Sequence, residues 1–197
     1  MQMPTLAHAL LTPLGTQSSR LPLSRHLVLI LIGVGLLWLS AKLQIPFWPV
    51  PMTMQTYVVL VLGMAYGLRL GTLTMLAYLA AGALGLPVFA GTPEKGIGLP
   101  YMLGPTGGYL VGFVAGAALC GWLAERGFDR SFWRTAIAMS AGHALIFVFG
   151  LAWLTALMGW PKAYAVGLAP FWTATVLKTA LGVLTLPLAW KWLERSR

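Results

Sequence analysis

The chain has 197 residues, of which 58% are hydrophobic and 9% charged, with a mean hydropathy of +0.80 and a formal net charge of +9. That makeup excludes an ordinary soluble domain and points to an integral membrane protein embedded in the lipid bilayer. It leaves no room for a nucleotide-binding domain, holds no phosphate-cradling loop ending in Gly-Lys-Ser/Thr, and with the lone Cys120 offers neither an intrachain disulfide nor a cysteine-clustered metal site.

Residues 1–25 are expected to form a cytoplasmic N-terminal tail, and residues 26–197 a single membrane domain. The stretch 1–20 contains Pro4, Pro13 and Gly15 and keeps no sustained period, which reads as mobile chain. A secretory signal is the competing reading, but the apolar run 27–39 begins late and no small-x-small cleavage site follows it. The first span is expected at 26–43, ended by Pro46, Pro49 and Pro51. Between those prolines, Phe47 and Trp48 fit either an interfacial anchor or a lid over a pocket.

The second and third spans are expected at 52–66 and 72–86, with Gly67, Arg69 and Gly71 between them. The segment 87–107, rich in Gly and Pro and holding Glu94 and Lys95, is long for a connector and reads as an ordered loop with a purpose or a mobile one. The fourth span, 108–125, has Gly108, Gly112, Gly116 and Cys120 at intervals that line one helical face and admit a close neighbour. The fifth, 132–158, contains His143, and 159–164 turns the chain into the sixth.

The sixth span, 166–190, carries Lys178 near its centre and hence near the bilayer midplane. A charge there costs roughly 3 kcal/mol on insertion scales. The four acids, Glu94, Glu125, Asp129 and Glu194, all fall outside apolar cores, so the missing anion is expected to arrive with a ligand, most simply as a carboxylate. The plainer alternative is a lysine that snorkels to an interface or bonds backbone carbonyls. With six spans, nine basic residues collect on the side of both termini and three on the other, which places both termini in the cytoplasm. The same bias accounts for the positive charge without nucleic acid as a partner. Gln55, with donor and acceptor, suits an amide or urea edge, whereas His143 reads as a bond across helices. Tyr57, Tyr78 and Tyr109 are candidates for the walls of a mainly apolar pocket.

Three motifs then narrow the reading. Pro49-Val-Pro-Met-Thr-Met-Gln55, Gly85-Leu-Pro-Val-Phe-Ala-Gly91 and Leu103-Gly-Pro-Thr-Gly-Gly-Tyr-Leu110, in this order and spacing, resemble the BioY family of biotin-binding S-components of energy-coupling-factor transporters. The resemblance covers about residues 25–190 and implies an all-α, six-helix bundle that captures biotin from outside. It further implies docking, in many members, on a transmembrane coupling subunit with two ATPases, while other members work alone. The family's last helix carries Pro-Phe-x-x-Gly-Asp-x-x-Lys, matched here by Pro170-Phe-Trp-Thr-Ala-Thr175-Val-Leu-Lys178. By position Lys178 takes the ligand's carboxylate, and Thr175, where the family has aspartate, supplies at most a hydrogen bond. The first span has Gly33 and Gly35 where an Ala-x-x-x-Ala docking face is usual.

The chain is therefore expected to be a multi-pass protein of the cell membrane that captures biotin. Lys178 and Thr175 would meet the carboxylate, Gln55 the ring edge, and Tyr78, Tyr109, Phe47 and Trp48 the apolar walls. Segments 44–51 and 87–107 would close the site from outside. The alternative is a carrier for another small organic anion or vitamin. An intramembrane enzyme would need a base, nucleophile or metal cluster, and the core offers one histidine, one lysine, one cysteine and no acid, so neither catalytic residues nor cofactor nor metal are expected.

Overall fold

A chain this apolar must satisfy its backbone internally once it leaves water, and helices do so within one segment. The computed structural model describes residues 3–11, 22–45, 50 and 52–196. Among the described residues it is all-α apart from one hairpin of two two-residue strands. In chain order come α1 (Leu6–Leu11), α2 (Leu23–Lys42), strands β1 (Gln44–Ile45) and β2 (Met52–Thr53), α3 (Gln55–Ala83), α4 (Gly98–Met102) and α5 (Gly107–Ala124). They are followed by α6 (Phe132–Met158), α7 (Trp160–Gly167), a 3-10 turn at Ala169–Phe171, and α8 (Trp172–Arg195). Among the described residues, five helical stretches are long and apolar enough to cross a membrane: α2, α3, α5, α6 and the run Trp160–Arg195.

α3 is a hairpin of two arms. Gly67 at its middle has φ 82° and ψ 178°, a conformation that side chains disfavour. A Cβ placed on Gly71 would lie 3.1 Å from the Gly63 Cα, whereas residues eight apart on a straight helix stand about 12 Å apart. The arms, 55–66 and 68–83, overlap the apolar stretches 52–66 and 72–86, and Glu125 Oε1 accepts the Leu68 N–H at 2.9 Å where the second arm begins.

Among the long helices α5 is the most buried and α2 the least. α5 owes its place to its small residues: a Cβ on Gly112 would stand 2.8 Å from the Ile146 Cα of α6, and one on Gly116 3.1 Å from the Gly142 carbonyl. Cys120, expected to be a packing residue, is fully buried and points its thiol at the Ala138 carbonyl, 3.3 Å away.

Two expectations change. The tail is ordered over residues 3–11: α1 tucks Ala9 against Trp190 and Leu193, the Met3 N–H donates to the Glu125 carbonyl at 2.8 Å, and Arg130 Nη2 to the Pro4 carbonyl at 3.2 Å. Bonds to the distant segment around residues 125–130 hold it, which a search for local period does not detect. The last apolar run is also not one helix from residue 166. The turn at Ala169–Phe171, with Pro170 inside it, interrupts the helix and α8 starts only at Trp172. Lys178 thus stands about 9 Å from the N-terminal end of α8 at 1.5 Å rise per residue, and midway along the apolar run Trp160–Arg195.

Candidate functional site

The strands β1 and β2 pair antiparallel, Gln44 opposite Thr53 and Ile45 opposite Met52, and deliver the chain into α3 at Gln55. The start of α3 faces the start of α8. Between them and the N-terminal half of α5 lies a pocket with about 600 Å³ of atom-free space, part of it open to solvent. Lys178, Thr175, Gln55 and Tyr109 all line it, so four of the residues singled out in the sequence converge. Phe47 and Trp48 lie outside the described residues, although Val50 of the same segment lines the pocket.

Lys178 is 7% exposed and its ammonium donates to Thr56 Oγ1 at 3.2 Å. An ammonium has three donors, so the Thr56 bond leaves two for an incoming acceptor. No carboxylate forms an ion pair with it among the described residues; Glu125 instead caps Leu68, and Asp129 Oδ2 accepts the Trp190 indole N–H at 2.6 Å. Thr175, expected to offer the ligand a hydrogen bond, instead donates its hydroxyl proton to the Phe171 carbonyl one turn back, at 2.8 Å. Only its oxygen lone pair faces other partners.

Gln55 is 3% exposed. Its Nε2 donates to the Tyr78 hydroxyl at 2.6 Å, and that hydroxyl donates to the Val88 carbonyl at 2.8 Å. The direction of this relay follows from chemistry: a carbonyl cannot donate, so the single phenolic proton goes to Val88 and the phenol oxygen accepts from the amide. Gln55 Oε1 is left as an acceptor suited to an N–H of a ligand amide or urea. Tyr78 is placed behind Gln55 and is absent from the pocket's lining, so it positions Gln55 and forms no wall. Tyr109 lends the pocket its ring face while its hydroxyl donates to the Gly167 carbonyl at 2.7 Å, tying α5 to the end of α7.

The remaining wall is largely apolar: Phe89, Ala90 and Tyr101 from the segment between α3 and α5, and Leu110, Phe113, Ile146, Phe147 and Phe171 from the helices. Tyr101 stacks on Phe89 with ring centroids 5.0 Å apart and donates to the Ala90 carbonyl at 2.8 Å. Burial raises the Tyr101 hydroxyl above its ordinary pKa, which keeps it a donor. The long 87–107 segment is therefore an ordered roof. Thr53, Thr56 and Thr106 also line the site and were not singled out in the sequence, although Thr53 and Thr106 lie inside the quoted motifs and Thr56 directly follows one. His143 stands outside the pocket, its Nδ1 3.0 Å from the Met139 carbonyl and 3.2 Å from Thr179 Oγ1 of α8, the cross-helix bond expected of it.

A cation with two free donors, an amide acceptor and an aromatic wall together suit a small, elongated organic acid with a cyclic amide or urea end. Known proteins point the same way. Residues 10–195 match the model of the BioY family. A protein of Thermotoga maritima described as a biotin transporter BioY is 38% identical over 81% of this chain and 92% of its own. One of Pyrococcus horikoshii, described as a probable biotin transporter BioY, is 32% identical over 82% and 93%. Among solved structures, the S-component for biotin from an ECF-type ABC transporter shares the fold with a TM-score of 0.73, at 24% identity, covering 85% of this chain and 92% of that one.

Proposed function

Since the chain belongs to the BioY family, we propose that its pocket captures biotin from the external side of the membrane for uptake into the cell. It is a multi-pass protein of the cell membrane and a transport protein, not an enzyme. The observation that carries the ligand reading is the buried Lys178 ammonium, which has a hydroxyl partner in Thr56 and, among the described residues, no carboxylate. A ligand carboxylate supplies the missing charge, Gln55 Oε1 accepts a ureido N–H, and Phe89, Phe113, Phe147 and Tyr109 bury the rings and chain. The reading asks for no cofactor and no metal.

The reversal of α3 at Gly67 and the nine-to-three division of basic residues support six crossings with both termini cytoplasmic. Residues 1–25 then form an inner segment preceding a single membrane domain, 26–197. The pocket, at the opposite end from α1 and Arg195, opens outward. As an S-component the protein docks on a transmembrane coupling subunit with two ATPases; as a solitary transporter it works without them. The departure at Thr175 bears on affinity, because a neutral hydroxyl replaces a second charge beside Lys178.

Calorimetric titration of the purified protein tests the reading, with biotin, biotin methyl ester and a Lys178→Ala variant side by side. Tight binding weakened by loss of either the carboxylate or the lysine is the expected result. Indifference to biotin, with binding of another organic acid, would instead make the protein a carrier for that compound.

A further inference from the structure

α2 ends at Lys42, and its side chain leaves the helix to reach the roof of the pocket. Nζ donates to the Thr92 carbonyl at 2.7 Å, to Thr92 Oγ1 at 3.1 Å and to the Phe89 carbonyl at 3.3 Å. The three donors of the ammonium are thus met by three oxygens of one short segment. Thr92 is 4% exposed and its hydroxyl proton goes to the Phe89 carbonyl at 2.7 Å, which locks the turn that presents these acceptors. Phe89 and Ala90, held by that turn, line the pocket.

The far side of the same segment is tied to the ligand's polar contact, since the Val88 carbonyl ends the relay from Gln55 through Tyr78. Hydrogen bonds therefore run from the pocket into the roof and from the roof to α2. α2 is the least buried of the long helices, so it is the element that moves at the lowest cost in lost contacts. A shift of its C-terminal end relative to α3 has to break the Lys42 bonds first.

We propose that Lys42 is the latch of the ligand pocket: a positioning residue on α2 that fastens the 88–92 roof over the bound ligand and sets how fast the ligand leaves. The link to the ligand rests on the biotin reading above; the link between Lys42 and the roof does not. Lys178 takes the ligand's charge, and Lys42 governs access without touching it.

The test uses a reporter cysteine, Ala90→Cys in a Cys120→Ala background, and a thiol reagent that does not cross membranes. Lys42→Met keeps the stem and removes the donors, and Lys42→Arg restores a cation with donors. With Lys42→Met, labelling is expected to quicken about tenfold, the effect of losing a charge-assisted hydrogen bond. In chains without the reporter, release of prebound labelled biotin is expected to quicken by a similar factor. Lys42→Arg is expected to return both rates toward those of the parent. Labelling of Lys42→Met within about twofold of the parent, less than one such bond is worth, overturns the latch, as does an arginine variant that labels as fast as the methionine one. Should Lys42→Met fail to fold, Lys42→Gln, which removes the charge and keeps a neutral donor on a shorter stem, is read in the same way. A parent that takes up no biotin refutes the ligand reading, while the labelling contrast still decides the latch.

Discussion

Gln55 and Tyr78 stand 23 residues apart in the chain and 2.6 Å apart across the two arms of α3. The bond closes the hairpin at its open end and holds the Gln55 amide at the pocket wall. Tyr78→Phe leaves the Gln55 N–H groups and the Val88 carbonyl short of a partner at buried positions. Destabilisation of about 1–3 kcal/mol is expected, together with about tenfold weaker ligand binding from an amide free to turn. Thermal melting and titration measure the two effects; unchanged values for both would mean that the relay does not orient Gln55.

The Lys178 ammonium sets function against stability. With one hydroxyl partner and 7% exposure, it is a charge that the unliganded fold compensates poorly. Lys178→Met is expected to raise the apparent Tm of the ligand-free protein, since a buried charge in a membrane costs up to roughly 3 kcal/mol. The same change should abolish most of the stabilisation by biotin. Thr56→Val should do the reverse, lowering the ligand-free Tm by taking away the ammonium's partner. A methionine variant less stable than the parent would show that the fold satisfies Lys178 without a ligand.

Lys178 and Gln55 were legible in the sequence because polar groups in apolar runs are expensive and few. Thr56 was not, since a threonine in a helix carries no such signal; only the fold brings it within 3.2 Å of an ammonium 122 residues away. The start of the last helix was misjudged for a related reason. Hydropathy runs on through residues 166–190, but the backbone breaks at Ala169–Phe171, and an apolar proline turn looks like helix to a hydropathy count. The roof shows the same limit: Phe89 stood in a quoted motif, whereas its latch, Lys42, sits 47 residues earlier and entered the sequence reading only as one of the three basic residues on the side away from the termini.

Gly67 makes the reversal of α3 possible. Its φ of 82° with ψ 178° suits only glycine, and a Cβ there would come within 2.7 Å of Thr5 Cγ2 and 2.8 Å of Glu125 Oε1. Gly67→Ala is therefore expected to cost about 1–3 kcal/mol in backbone strain alone, and to loosen the segment that carries Thr5. A melt reports the first effect and limited proteolysis near the N-terminus the second. An alanine variant as stable as the parent would argue that the arms are held together by their packing and not by this turn.

Asp129, expected to sit at a solvated face, is 1% exposed between α5 and α6, with Oδ2 bound to Trp190 and Oδ1 unpartnered among the described residues. Burial pushes its carboxyl above the ordinary aspartate pKa, while local hydrogen bonds and the Arg130 cation pull it back by less. A carboxyl with a raised folded pKa holds its proton more tightly in the fold than in the unfolded chain. Its contribution is then fully present below the unfolded value of about 3.9 and is lost as pH rises through the folded pKa. Asp129→Asn keeps an oxygen for the Trp190 N–H and has no proton to lose. The variant is expected to gain apparent Tm over the parent as pH rises from about 4 toward neutrality, and to match it in acid. Melts across that range decide the matter: a parallel offset at every pH would make the change one of packing, and a gap that opens only in acid would mean that Asp129 is held as the carboxylate.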